Sequence, residues 1–328
     1  MKINVGPIHP STHGVLRLVV DVDGDDIRDV EAHIGFLHRG VEKLMENRQY
    51  LQSLPYVEKL DYAAPLGWDD LYVAAIEKAM NVQVNESAMY ARVILLEFQR
   101  IASHLLWLGT FVNDLGQMFT MFMWTFRERS YILKFLEDVT GSRMFYVNMR
   151  LGGLSRELPP DFKDRAYKLC DYLESNITAY PDMLDGNSIF MERTKGIGRL
   201  SKTMALSYSV SGPVARASGI DHDVRKDSPY YVYDKIKFTV PVMANGDSYD
   251  RYRVRYQEML ESINIIELSR GHGLIYMVPE GQKPYRIALR SPTFANLSAL
   301  PEMARGAKFA DLFSILGSID IVMAEIDR

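Results

Sequence analysis

Residues 101–126 run for 26 positions without a lysine or an arginine. A run of that length is enough to cross a bilayer as a helix, so its setting decides what the chain can be. It contains His104, Asn113, Asp114 and Gln117, and a carboxylate in mid-span is costly in hydrocarbon. Gly109 and Gly116 also interrupt the apolar pattern. The run therefore reads as two helical pieces buried in protein, not as a membrane span.

The rest of the chain supplies cover for such helices. With 328 residues, 47% hydrophobic and 24% charged, it has the balance of an ordinary soluble globular protein with a sizeable core. Residues 15–31 read as a hairpin: Leu16, Leu18, Val20 and Val22 alternate, Asp23-Gly24-Asp25 turns, and Ile27 and Val30 return. Helices are expected at about 38–53, 68–80, 117–139, 160–182 and 249–267. Asn85 or Ser87 is placed to cap one more, with Val93, Leu96, Ile101, Leu105 and Leu108 on its apolar face. Glycine and serine punctuate 196–219 into loops and short elements, 273–279 and 284–290 read as strands, and 307–320 reads as a helix stopping near Gly317. The class is α+β, a central helical bundle with small N-terminal and C-terminal β regions. One large domain is expected over 1–328, with an N-terminal β region (1–35), a helical bundle with inserted loops (36–267) and a C-terminal α/β region (268–328).

A net charge of −4 gives no footprint for nucleic acid. Met1 to Val5 passes into an expected strand without a basic and then apolar leader, so no secretory signal is read there. Cys170 is the one cysteine, so the chain alone cannot form a disulfide, hold an iron–sulfur cluster or complete a structural zinc site. Of the 17 methionines, Met118, Met121 and Met123 crowd one stretch, either as adaptable core filler or as a pliable pocket or interface.

Few residues offer chemistry on their own. His9-Pro10-Ser11-Thr12-His13-Gly14 is a loop by its proline and glycine, with His13 near its tip. A loop histidine is either an ordinary hydrogen-bonded residue or a proton donor. Asp61-Tyr62 pairs a carboxylate with a phenol that can donate to a carbonyl. Asp114 is either buried and paired or lines a polar cavity. Glu97, Arg100 and His104 share one helical row, and Arg127, Glu128 and Arg129 cluster; both read as helix-to-helix ion pairs or solvated faces. His33 and His38 have no zinc spacing, and no dinucleotide, P-loop or nucleophile-elbow motif is present.

A family resemblance unites these fragments. GPIHPSTHGVLRL (6–18) resembles the opening signature of the D-type subunit of complex I, the NADH–quinone oxidoreductases and their relatives. Similar motifs follow in order at 34–52, DYAAP at 61–65, and then at 91–109, 126–129, 211–226, 283–301 and 310–328. The resemblance implies a [NiFe]-hydrogenase large-subunit-like fold. The hydrogenase cysteine positions fall at Asp61, Ala64, Val322 and Glu325, and without thiolates they exclude a nickel site. The family's vacated cavity takes a quinone headgroup beside the terminal [4Fe–4S] cluster of a B-type partner. By motif, the quinone ligands map to His13 and Tyr62, the buried aspartate linked to that histidine maps to Asp114, and Arg39 and Asp61 lie near the partner's cluster. This chain is expected to bind no cofactor alone and to take quinone as substrate. The expected partners are B-type, C-type, ferredoxin-like I-type and membrane H-type subunits. The expected place is peripheral, on the cytoplasmic face of an energy-transducing membrane or its organelle matrix or stroma counterpart. The competing reading is a non-catalytic scaffold subunit of a related membrane-bound hydrogenase-like complex.

Two departures from the family pattern stand out. Phe145 takes the place of a histidine that many relatives carry near the cluster, and phenylalanine cannot protonate. A lower-potential cluster and a low-potential quinone such as menaquinone would follow. Second, Ile266-Glu267-Leu268 meets Ser269-Arg270-Gly271 where relatives have a longer stretch. Either this lineage is trimmed there or the numbering runs across a missing loop, and the latter predicts a chain break within 266–271.

Overall fold

The computed structural model describes residues 1–12, 14–116, 119–266, 274–280 and 283–328. The N-terminal strands β1 (Lys2–Val5), β2 (Arg17–Asp23) and β3 (Asp26–His33) form an antiparallel sheet in that order. Val5 pairs with Leu18, and Gly24 turns the hairpin with φ at 61°. The expected alternation holds, since Leu18, Val20 and Val22 of β2 are all buried. Between β1 and β2, Pro10–Thr12 form one turn of 3-10 helix.

The sequence pattern over 38–53 predicts one helix, but the chain makes two: α1 (Val41–Glu46) and α2 (Tyr50–Val57). Gly40 is left-handed at φ 63° and delays the start. Gln49 is extended and exchanges bonds with Gln52, Gln49 N donating to Gln52 Oε1 at 3.1 Å, so a fresh capping box opens α2. Next come α3 (Pro65–Met80), α4 (Glu86–Asp114) and α5 (Phe119–Thr140). Asn85 caps α4, its side chain accepting from Ala88 N at 2.7 Å.

Gly109 does not interrupt α4, contrary to the sequence reading. It lies inside an unbroken helix of 29 residues, and a Cβ there would come within 2.4 Å of Thr125 Oγ1 on α5. The glycine is thus a contact point where α5 crosses close. The real break is at Gly116, left-handed at φ 76° just past the end of α4. Among the described residues no helix is long and apolar enough to cross a membrane.

The short strands β4 (Met149–Arg150) and β5 (Gly153–Leu154) precede α6 (Phe162–Ile177), α7 (Tyr180–Leu184) and α8 (Ser188–Thr194). The glycine-rich stretch at 196–219 holds α9 (Lys202–Ser207) and α10 (Gly212–Ala217), and α11 (Val224–Asp227) follows it, before the long α12 (Ser248–Ile265). Strands β6 (Leu274–Glu280) and β7 (Lys283–Arg290) pair antiparallel. The chain ends in α13 (Pro292–Ser298), α14 (Leu300–Ala304), α15 (Leu312–Ser318) and α16 (Met323–Ile326). The C-terminal helix α15 ends at Ser318, next to Gly317 as expected, although it starts later than position 307, and Asp320, left-handed at φ 54°, redirects the chain into α16. A chain break is predicted within 266–271, and residues 267–273 lie outside the described residues.

Among the described residues two large apolar cores form, beside a small cluster of Val93, Val232 and Tyr233. One gathers α1–α8, α12 and β7 around α4. The other joins the N-terminal sheet to α9, α10 and α13–α16, so the two ends of the sequence share one core. Replacing Gly109 by alanine should force α4 and α5 apart and cost about 1–3 kcal/mol of stability. A denaturant titration checks this, and adding Thr125→Ala should recover part of the loss.

Candidate functional site

Of the residues singled out in the sequence, Arg39, Asp61 and Tyr62 sit where three segments are fastened together: 34–42, the α2–α3 link at 58–64, and the C-terminal 320–328. Asp327 draws in the first by accepting from Gly35 N at 2.7 Å and Leu37 N at 2.8 Å. Arg328 Nε donates to Glu42 Oε1 at 3.0 Å, and the same carboxylate oxygen accepts from Leu289 N at 2.8 Å. Glu325 accepts from Trp68 Nε1 at 3.2 Å and from the Thr293 hydroxyl, tying α16 to α3 and α13. Arg39 is exposed and donates to the Lys59 carbonyl at 3.3 Å, which places it beside the α2–α3 link.

Within that link Asp61 and Tyr62 face opposite ways. Asp61 is buried, and its Oδ1 accepts from Ala63 N at 2.9 Å and Ala64 N at 3.1 Å, a local turn that opens α3. Tyr62 is left 39% exposed. The link rests on α4 through Gln99, whose Nε2 donates to the Ala63 carbonyl at 2.8 Å. Asp114 ends the same helix 15 residues later, about 22 Å further along its axis.

Asp114 is half-buried and receives the Ser11 hydroxyl on Oδ1 at 3.0 Å. The HPSTHG loop is therefore fastened to the end of α4. His9 helps hold it, its ring stacking on Phe313 of α15 at 5.3 Å and its Nδ1 accepting from Ser11 N at 3.2 Å. His13 lies outside the described residues. The structure thus brings Ser11 to Asp114, and Arg39 to the Asp61 link, and it separates Tyr62 from Asp114 along α4.

The four positions that hold metal in hydrogenases do not fit a nickel site. Ala64 and Val322 carry no donor, and the Asp61 and Glu325 carboxylates are committed to the protein's own amides, indole and hydroxyl.

Sequence reasoning missed how much charge is buried beneath this site. The Glu97, Arg100, His104 row is fully buried: Arg100 meets Glu97 at 3.4 Å, and Tyr233 donates to Glu97 at 2.9 Å. His104 Nε2 contacts Glu258 of α12 at 3.0 Å, and Arg216 of α10 grips the other Glu258 oxygen through two nitrogens at 2.8 and 2.5 Å. Burial lowers the His104 pKa to about 4, overriding the pull of Glu258. Burial works to raise Glu258, but Arg216 and then His104 hold it well below the carboxylate range. A second network joins Arg92 of α4 to Glu77 of α3 at 2.9 and 2.7 Å, with Tyr231 bridging Arg92 at 2.8 Å and Asp70 at 2.7 Å. A periodic charge at helical spacing looks the same in sequence whether solvated or buried, so no local signal marked these groups.

Fold and site together define a class: a hydrogenase-large-subunit-like frame whose metal positions have been taken over by protein contacts. The family model for the respiratory-chain NADH dehydrogenase 49 kDa subunit matches residues 114–269 and 265–328. The NADH-quinone oxidoreductase D subunit of Dehalococcoides mccartyi is 43% identical over 358 aligned positions, covering 99% of this chain and 98% of the relative. The D subunits of the same enzyme from Citrifermentans bemidjiense and Geobacillus thermodenitrificans are 40% and 39% identical, each over 100% of this chain and 99% and 98% of their own lengths. The chain belongs to this family and is a D-type core subunit of a complex I-type oxidoreductase. The alignment of 358 positions exceeds the 328 residues present, so relatives carry residues this chain lacks. The two matched pieces meet at 265–269, where the sequence shows its short connection.

The buried histidine gives a pH prediction. A histidine with a folded pKa near 4 and an unfolded value near 6.5 contributes stability that is complete above about 6.5. That contribution is lost as pH falls from 6.5 towards 4. His104→Gln, which can still donate to Glu258, should flatten this part of the curve of unfolding midpoint against pH.

Proposed function

We propose that this chain forms the quinone-reduction site of its complex, with His13 and Tyr62 binding the headgroup and Asp114 answering the charge left behind. The observation that carries this reading is the Ser11–Asp114 hydrogen bond, which fastens the loop bearing His13 to the carboxylate at the end of α4. Tyr62 suits its role because the Asp61 turn leaves its ring exposed beside a tightly bonded link. A quinone takes two electrons and two protons, and this chain supplies donors and protons while a partner's [4Fe–4S] cluster supplies electrons singly. Proton loss from Tyr62 and His13 leaves negative charge that Asp114, through Ser11, is coupled to.

Arg39 is exposed and forms no ion pair among the described residues, which suits a place beside a cluster that gains negative charge on reduction. The face carrying Arg39, the Asp61 link and residues 320–328 is where we place the B-type subunit, with C-, I- and H-type subunits completing the surroundings. The chain would then sit as a peripheral subunit on the cytoplasmic face of an energy-transducing membrane, or the organelle equivalent, in a proton-translocating enzyme.

In the assembled complex, Tyr62→Phe should slow quinone reduction at least tenfold, since a positioned proton donor contributes about 10²–10⁴ in rate. Full activity in that variant would refute the site. Asp114→Asn keeps shape and hydrogen bonding, so assembly should persist while quinone reduction slows or separates from proton movement. Unchanged turnover and coupling would return Asp114 to a purely structural role in holding Ser11. Iron and acid-labile sulfide should be absent from the purified chain, and their stoichiometric presence would overturn the placement of the cluster in a partner.

A further inference from the structure

Three segments far apart in sequence leave a cleft of about 350 Å³ between them, outside the site described so far. Its lining includes Tyr208 and Ser209 just past α9, Arg290 at the end of β7, Phe294 and Ser298 on α13, and Arg328. Two of the lining side chains are guanidiniums and none is acidic. Both arginines are anchored to the chain. Arg290 Nη2 donates at 3.3 Å to the carbonyl of Ser209, a residue that is left-handed at φ 54°. Arg328 Nε donates to Glu42 Oε1 at 3.0 Å, and the Leu289 amide holds that same oxygen at 2.8 Å. Glu42 thus sets one negative charge against two positive ones. A guanidinium carries five N–H donors in a planar fork, so it can keep such an anchor and still take a carboxylate.

The exposure of the lining says what kind of carboxylate this is. Phe294 is 49% exposed, and Ser209 and Ser298 are exposed as well. A small anion drawn from water is held best by donors sealed from it. An open cleft that sets a bare aromatic ring beside arginines has instead the make-up of an anchor point between proteins, where a partner's surface supplies the cover. The cleft also continues the face on which the B-type subunit is placed above. Arg328 belongs to the 320–328 segment of that face, and Glu42, its ion-pair partner, lies three residues after Arg39.

We propose that this cleft takes an aspartate or glutamate side chain of the B-type subunit, its carboxylate held by the Arg290 and Arg328 guanidiniums and its backbone covering Phe294. The inference rests on the placement of that subunit on this face. The contact would fix the partner at a second point, away from Arg39 and the Tyr62 link, and so set its orientation as well as its proximity.

Carbodiimide cross-linking of the assembled complex tests this. Arg290→Lys keeps the charge and supplies an amine. The reagent should then form an amide between this position and an aspartate or glutamate of the B-type subunit, identified by mass spectrometry of the linked peptides. A link to another subunit, a link only within this chain, or no link would overturn the proposal. Two variants at the exposed Ser298 keep it falsifiable if Arg290→Lys fails to assemble. Ser298→Asp sets a like charge against the incoming carboxylate and should speed release of the B-type subunit roughly tenfold or more, whereas Ser298→Lys should not speed it. Equal release from the two would overturn the proposal as well. Lys59, half-exposed, with its carbonyl accepting from Arg39, is the control on the face itself. A bifunctional amine reagent should join it to the B-type subunit in the unaltered complex. That link without the one from Arg290→Lys refutes the cleft and leaves the face standing, while the absence of both refutes the face.

Discussion

Helix α4 is buried along nearly its whole length, and it is not apolar. Every polar side chain it takes inside must find a partner from somewhere else in the chain, because a buried group left unsatisfied costs about 1–3 kcal/mol. The partners come from widely separated segments. Arg92 finds Glu77, Gln99 finds the Ala63 carbonyl, His104 finds Glu258, Trp107 Nε1 donates to the Gly317 carbonyl at 2.8 Å, and Asp114 finds Ser11. Read along the helix, these bonds fasten α3, the Tyr62 link, α12, α15 and the HPSTHG loop in turn. The site is therefore not a set of loops resting on a scaffold. Its pieces are held at the places where α4 has polar groups to satisfy.

Local pattern and tertiary demand were not equally legible in the sequence. The β2–β3 hairpin could be read because alternation and a glycine turn are properties of adjacent residues, and the Asn85 cap for the same reason. Gly109 was misread as a break because its meaning lies in Thr125, on a different helix. The 38–53 segment was misread because its periodicity continues through Gln49, while the capping exchange with Gln52 restarts the helix there. His104 and Glu258 are 154 residues apart, and nothing near either one announces the other. At the site, Tyr62 and Asp114 were weak candidates singly and gained a shared role only from the resemblance. The Ser11 bond to Asp114 was not anticipated, since a serine in a loop carries no signal of its partner.

The charges inside follow a division of labour. Arg251 and Arg255 of α12 are sealed from solvent and hold the C-terminal part of the frame. Arg251 donates to the Gly246 and Gly198 carbonyls at 2.7 and 2.9 Å and to Ser318 Oγ at 2.8 Å. Arg255 donates to the Ser318 carbonyl at 2.9 Å and lies over the Trp107 ring at 4.2 Å. Burial, and then the neighbouring Arg255, lowers Arg251 to about 9, which still leaves it charged at neutral pH. These arginines donate to backbone carbonyls and to the Ser248 and Ser318 hydroxyls. Such bonds fix geometry and give nothing to titrate near neutrality, in contrast to Asp69 on α3, which burial raises to about 8.

That contrast bears on how a frame related to metal-binding hydrogenases stays closed without metal. Four thiolates on one ion would pin the start of α3 to the C-terminal segment. Here Glu325 of the C-terminal segment accepts from Trp68 on α3 and from Thr293 on α13, while Asp327 and Arg328 fasten the same segment to the amides of Gly35 and Leu37 and to Glu42. Each contact is weaker than a metal bond, but they are spread over four segments, so no single one sets the geometry. Spreading the closure has a chemical consequence. An ion fixes the charge at the centre of its site, whereas a closure made from carboxylates, an indole and amides leaves that centre to side chains whose protonation can change. Asp61 and Glu325, at two of the vacated positions, belong to the closure itself, their oxygens accepting from the Ala63 and Ala64 amides, the Trp68 indole and the Thr293 hydroxyl.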